Sequence, residues 1–427
     1  MLTPLLFKRV ILIALLVLFG LTPTSVRAED WPCWRGPTGQ GICTEKDLPL
    51  TWNGKTGENI VWKVKLPGQD GMNGQDRNQS SPIVVGGRVF VTASYWPGKV
   101  NAAEYPEHHV VCYQAEDGKP LWDTKVPPGP WLLSDLRGGY TAPTPASDGE
   151  RVYVLFGSSV LAGLDFAGKI VWRKEITPYQ FDVCIGTSPF MYEDTVLLQC
   201  DQVNKSSFLI AFDRKSGEQR WVQKRPDMGF SHSTPILVSI QGKSQLLMAG
   251  ADAIQGLDPA NGKVIWSCAA KGDTVSPVFA LGLVYCDSGR GGLAVAVDPT
   301  GTGNVTKTHL RWKVPVVPEG FSSPVVVGDY IYRLHSPGIL KCWNLSSGEE
   351  MFSERLNGVS TTCSPLTTLD GRVYLASAGK TFVIKPGPKL EVLATNDLND
   401  ASEASAAVAN GRIFIKGKQF LYCIGRK

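Results

Sequence analysis

Short apolar runs alternate with polar turns along almost the whole chain. The most regular stretch is Ala211-Phe212-Asp213-Arg214-Lys215-Ser216-Gly217-Glu218-Gln219-Arg220-Trp221, an apolar pair, an Asp, a polar turn closing on Gly, and a Trp. That order predicts a strand, a tight turn and a second strand with an aromatic anchor. The same phrase recurs at Asp258 to Trp266, at Asp165 to Trp172 with one residue fewer, and at Gln114 to Trp122 with an amide for the Asp. At Asn344 to Phe352 both ends are substituted, and Asp298 reaches Trp312 across an insertion, Thr300 to Leu310.

A second marker alternates with the first: Ser81-Pro82, Ala142-Pro143, Ser188-Pro189, Thr234-Pro235, Ser276-Pro277, Ser323-Pro324 and Ser364-Pro365, each leading into a strand. Proline is tolerated at the first residue of a strand, where no ladder donor is needed. The prolines lie 61, 46, 46, 42, 47 and 41 residues apart, a period that suits four short antiparallel strands and their turns, the unit of a β-propeller. No helical periodicity competes beyond residue 28. An eighth unit begins near Ser405-Ala406-Ala407 and stops before any Trp strand, whereas Ile60-Val61-Trp62-Lys63-Val64 is a Trp strand without a turn of its own. Pairing these remnants removes an open sheet edge. The expectation is an all-β, eight-bladed propeller closed by an N-terminal strand, with a seven-bladed ring as the alternative. Trp62, Trp122, Trp172, Trp221, Trp266 and Trp312 are the expected blade anchors. Their partner acids Asp165, Asp213, Asp258 and Asp298 recur too regularly for catalysis and read as turn formers.

With 427 residues, 43% of them hydrophobic and 19% charged, the composition is that of a folded globular chain. Residues 1–28 carry Lys8 and Arg9, an apolar run from Val10 to Gly20, and Val26-Arg27-Ala28, the layout of a signal peptide cleaved after Ala28. Residues 29–427 then form a single propeller domain with a lead segment over 29–57. This implies a periplasmic or secreted protein with no transmembrane segment after cleavage. Without Lys8, Arg9 and Arg27 the formal charge falls from +4 to +1, which argues against a nucleic-acid partner. Of ten cysteines, Cys112, Cys342 and Cys423 stand where other repeats carry Gly163, Ala211, Gly256 and Ala296, so they read as small buried side chains. Cys33 and Cys43 are the candidates for a disulfide.

The phrase Ala-x-Asp-x-x-Thr/Ser-Gly-x-x-x-Trp resembles the tryptophan-docking repeat of quinoprotein-type propellers. The opening WPCWRGPTGQG with LPLTWNGKTGENIVWKVKLPG is similar to exported pyrroloquinoline-quinone-repeat proteins common in planctomycete-type bacteria. This resemblance implies tryptophans wedged between blades and a ligand end of the central channel. It offers three functions. Quinone-dependent dehydrogenases of this fold hold pyrroloquinoline quinone with calcium, a catalytic Asp and often a disulfide between adjacent Cys; no Cys-Cys pair occurs here. The non-enzymatic scaffold of the outer-membrane barrel-assembly machinery is similar in size and binds protein partners. Other exported propellers act on carbohydrate. The expectation is a non-catalytic scaffold with an envelope protein partner and no cofactor; a quinone- and calcium-dependent dehydrogenase or a carbohydrate-active enzyme is the alternative.

The loops before the Pro markers are expected at the channel mouth. They offer Asp76, Arg77, Asn78, Arg137, Tyr140, Asp182, His232, Asp273, Glu319 and Glu403, of which Arg77, Arg137, Tyr140, Asp182, His232 and Asp273 are the candidate ligand-binding set. Their plainer reading is the solvated lining of a water-filled channel. His232 is the one His in these loops and the candidate proton-transfer group. Glu107-His108-His109 opens a strand, where adjacent side chains face opposite ways, so joint metal ligation is not expected. No catalytic residue and no metal ligand set is assigned.

Overall fold

The computed structural model describes residues 30–68, 76–77, 79–176, 183–226, 228–360, 364–368 and 370–426. The proposed signal peptide, Asn78 and Asp182 lie outside these residues. Eight antiparallel sheets of four strands, one of them with a fifth strand added, follow one another around a ring. In chain order, blades 1 to 7 begin at Ile83, Ala146, Phe190, Ile236, Val278, Val325 and Leu366. Blade 8 takes three strands between Ala407 and Ile424 and borrows its outer strand from Ile60–Lys65. There Trp62 faces Cys423 and Val64 faces Leu421 across the ladder. The chain is an eight-bladed propeller closed by its N-terminal strand.

The repeated phrase divides into two halves of one interblade contact. Trp62, Trp122, Trp172 and Trp312 each donate Nε1–H to a carbonyl in the next blade, that of Ala115, Phe166, Arg214 and Leu345, at 2.7 to 3.1 Å. The turn glycine of that next blade provides the floor. A Cβ on Gly118, Gly168, Gly217, Gly262 or Gly348 would lie 2.6 to 2.8 Å from the ring of Trp62, Trp122, Trp172, Trp221 or Trp312, and all five glycines have positive φ. On the other side, the Trp faces a small residue of its own sheet: Cys112 opposite Trp122, Gly163 opposite Trp172, Ala211 opposite Trp221. Burial of each ring thus needs two small neighbours, which explains the Gly, Ala and Cys at that ladder position. Trp266 differs. It is fully buried and bonds Gln245 Oε1 at 2.9 Å within its own blade. Beside it, Gly303–Asn304 from the insertion in blade 5 adds in parallel to the Trp266 strand.

The turn acids are structural. Asp213 Oδ1 accepts the amides of Lys215 and Ser216 at 2.9 and 2.7 Å, and Asp165 Oδ1 those of Ala167 and Lys169 at 3.0 and 2.9 Å.

Residues 30–43 run across the centre of the ring. Trp31 pairs with Val84 of blade 1, and the Pro32 carbonyl accepts the Ser147 amide of blade 2 at 2.8 Å. Gln40 Oε1 accepts the Phe279 amide of blade 5 at 2.6 Å. Arg35, 2% exposed, donates to the carbonyls of Gln40 and of Pro324 in blade 6. Gly41 and Cys43 exchange backbone bonds with Thr367 of blade 7. The chain's own segment therefore closes one part of the central channel. The segment then passes beside blade 7, where Trp52 N–H donates to Asn396 Oδ1 at 2.8 Å and its ring stacks on Tyr374, and so reaches the outer strand. The Cys33–Cys43 disulfide does not form. Cys43 is held in the pairing to blade 7, while Cys33 donates to the Gly36 carbonyl at 3.0 Å and burial pushes it up to about 12.

Candidate functional site

Eight hydroxyls at the starts of the innermost strands tie the blades together at one end of the channel. The amide of Ser81 donates to Thr144 Oγ1, that of Thr144 to Ser188 Oγ, and so on through Thr234, Ser276, Ser323, Ser364 and Ser405, whose amide returns to Ser81 Oγ. All eight bonds measure 2.8 to 3.1 Å. The Ser/Thr-Pro marker is the sequence trace of this circle. In blade 2 the marker is Thr144-Pro145 rather than Ala142-Pro143, because Thr144 has an oxygen to accept the Ser81 amide and Ala142 has none.

Above the circle lies a cavity of about 580 Å³, with Trp34 of the central segment in its wall. Most of its hydroxyls already accept an amide, so each keeps its O–H as a donor. Arg77, Arg137, Arg290 and His232 line it with Glu319 and Glu403. Each arginine is tied to a carboxylate: Arg77 to Glu403 at 3.1 Å, Arg137 to Asp135 at 2.5 Å, Arg290 to Asp273 at 3.3 Å. Arg290 also lies over the Phe230 ring, and His232 meets the same ring edge-on. Burial raises the Asp273 carboxyl above its ordinary value, partly offset by Arg290.

Of the candidate set, Arg77, Arg137 and His232 come together at the mouth, and Asp273 stands behind Arg290. Tyr140 does not belong there. It is fully buried, and its hydroxyl accepts the Leu133 amide at 2.9 Å. Asp76 is likewise drawn away, its Oδ2 accepting the amides of Tyr140 and Thr141 at 2.6 and 3.1 Å. Sequence reasoning missed Trp34, because nothing periodic marks it, and Phe321, whose 57% exposure at the cavity edge needs the fold to be seen. It also missed the wholly buried pair of Arg333 and Asp287, joined at 3.0 and 3.1 Å. Arg333 donates further to Ser322 Oγ at 2.9 Å and to the Gly320 carbonyl, fixing the loop that presents Phe321. Burial pushes Asp287 upward, yet the Arg333 charge outweighs it and the carboxyl lies below its usual value. His108 and His109 face opposite sides as expected: His108 is buried between Ser94 and Ser158, and His109 bonds Asp123 at 2.7 Å.

Among the described residues no three His, Cys, Asp or Glu side chains are grouped to hold a metal ion. Of the acids at the mouth, Glu403 is engaged by Arg77 and Asp273 by Arg290.

A family model described as outer membrane protein assembly factor BamB, built on the pyrroloquinoline-quinone-type repeat, matches residues 42–177 and 106–354. The chain belongs to this family. Among solved structures, BamB from Moraxella catarrhalis superposes with a TM-score of 0.60 at 14% identity, over 86% of this chain and 97% of that one. The computationally designed Ika8 protein gives 0.56 at 10% identity, over 84% of this chain and 98% of that one. Both likenesses speak to the fold alone. A curated relative, the tetrathionate hydrolase of Acidithiobacillus ferrooxidans, is 21% identical over 361 residues; the match spans 66% of this chain and 66% of that relative's length. No helix among the described residues is long and apolar enough to cross a membrane.

Proposed function

We propose that this protein is an exported, non-catalytic binding scaffold of the cell envelope, periplasmic or secreted, whose channel mouth receives a segment of a protein partner. One observation carries the reading: Phe321 stands exposed beside arginines on the edge of a concave, donor-rich cavity. An aromatic side chain next to Arg over a concave surface is the composition of the residues that dominate protein interfaces. Membership in a family described as an outer membrane assembly factor points the same way.

The test is a photo-crosslinking residue in place of Phe321 in envelope-expressed protein. A single crosslinked partner, lost in Arg290→Ala while the melting temperature holds, is the expected result, with Glu29 as the mature N-terminus. Absence of a crosslink would overturn the reading, as would stabilisation by pyrroloquinoline quinone and calcium with dye reduction, or polysaccharide cleavage lost in His232→Ala. A second reading draws on the similarity to a tetrathionate hydrolase: the hydroxyl donors and arginines of the cavity suit a sulfur oxyanion. Tetrathionate turnover that falls in Arg290→Ala would put that reading in place of the scaffold.

A further inference from the structure

Blades 8 and 1, which meet where the ring closes, leave a second cavity of about 340 Å³ between them, bordered by Arg77 and Glu403 on the side of the mouth. Trp96, Val100 and Leu136 give it an apolar wall, and Asp76 and Lys416 line it as well. Both charged residues are more than nine-tenths buried, Lys416 at 1% and Asp76 at 7% exposure. Lys416 Nζ donates to Ser80 Oγ at 2.6 Å and to the Thr92 carbonyl at 3.2 Å, which leaves the third N–H of its ammonium unused. Asp76 Oδ2 takes the Tyr140 and Thr141 amides, and Oδ1 has no partner. No hydrogen bond joins the two. Burial holds the Lys416 ammonium down to about 7, against the pull of the Asp76 charge.

Buried charges are ordinarily satisfied by partners, and an unused donor and an unused acceptor of this kind each carry a desolvation cost. A ligand meets both needs when it carries a cation and an anion together. We propose that the cavity between blades 8 and 1 binds a small zwitterion, a free α-amino acid with an apolar side chain. Its ammonium bonds Asp76 Oδ1, its carboxylate bonds Lys416 Nζ with Arg77 at the rim, and its side chain lies on Trp96, Val100 and Leu136. The cavity shares Arg77 and its partner Glu403 with the channel mouth, whereas Asp76, Lys416 and the apolar wall line this cavity alone, and the proposal does not depend on the function proposed for the mouth.

Titration calorimetry with L-leucine and L-phenylalanine tests this, with 3-phenylpropionate and 2-phenylethylamine as analogues lacking the ammonium or the carboxylate. Saturable binding of one or both amino acids is expected, with either analogue weaker by at least roughly tenfold. Asp76→Asn and Lys416→Met should each weaken binding by a similar factor. Because those two variants remove buried groups, Val100→Trp serves as the independent check: it fills the cavity from an exposed rim position and should abolish binding at an unchanged melting temperature. No saturable binding up to about 10 mM, meaning that water alone fills the cavity, would overturn the proposal. So would equal binding of the analogues, or wild-type binding by Val100→Trp.

Discussion

The rim and the hub of this propeller join neighbouring blades with opposite chemistry, through aromatic rings at seven blades and through hydroxyls at all eight. At the rim, aromatic rings dock on glycine floors, and the pattern tolerates loss: Phe352 stands in for a Trp, and Trp266 turns inward to Gln245. At the hub, eight hydroxyls accept eight amides without a gap. Apolar burial is non-directional and grows with area, so a substitute ring or a shifted one still contributes. A buried amide accepts no such substitute, because losing its acceptor leaves the full desolvation cost. Redundancy is affordable at the rim and not at the hub.

The largest expected effect tests the rim. Trp172→Ala should cost about 3 to 5 kcal/mol, read as the fall in urea-unfolding free energy. A variant as stable as wild type would remove the anchoring role. Gly217→Val attacks the same dock from its floor, with a side chain that meets the Trp172 ring at a positive φ. It should approach the loss seen in Trp172→Ala, and the two together should be far from additive, since both empty one contact.

Acid probes the buried polar bridges between hub and rim. His108 and His335 are each held down to about 3 by burial, whereas an unfolded imidazole takes up its proton near 6.5. The unfolded chain thus binds more protons below that value, and stability present above pH 6.5 declines as pH falls toward 3. His108→Gln should flatten the decline between pH 6.5 and 4.5 in denaturation midpoints; an unchanged slope would show that His108 contributes nothing to it.

A smaller effect tests the hub. Ser276→Ala orphans the Thr234 amide and should cost about 1 to 3 kcal/mol, while Ser276→Thr, which keeps the oxygen, should stay close to wild type. If alanine and threonine behave alike in urea titration, the hydroxyl circle does not hold the blades.

Much of the rim was legible because its spacing is local. Asp213 to Trp221 sits within one hairpin, and the small residue opposite each Trp repeats in register. The partnership of Trp172 with Gly217 was not, since it joins neighbouring repeats and spacing within one phrase says nothing about which phrase it touches. The hub was half legible. Proline marked the strand starts, but in Thr141-Ala142-Pro143-Thr144-Pro145 two candidates lie two residues apart, and only the bond to Ser188 decides for Thr144. Tyr140 and Asp76 sit in loops that lead to the mouth, yet they turn into the core because Asp76 serves the Tyr140 and Thr141 amides. Residues 30–43 carry no period at all. Their path follows from single contacts to five blades, which no pattern within the segment announces.

The hydroxyl circle also has an order in time. Each amide points to the following blade, so seven of the eight bonds can form as successive repeats emerge, while the Ser405 amide must return to Ser81 across 324 positions of sequence. The strand pairing of Ile60–Lys65 with Phe420–Ile424 waits equally long. A chain interrupted before these residues holds a stack of blades with two raw edges and an unsealed hub, and it presents to proteases and to its own kind the strand edges that the finished ring conceals. Closure therefore acts as a checkpoint on complete synthesis, passed in one step when the last blade arrives.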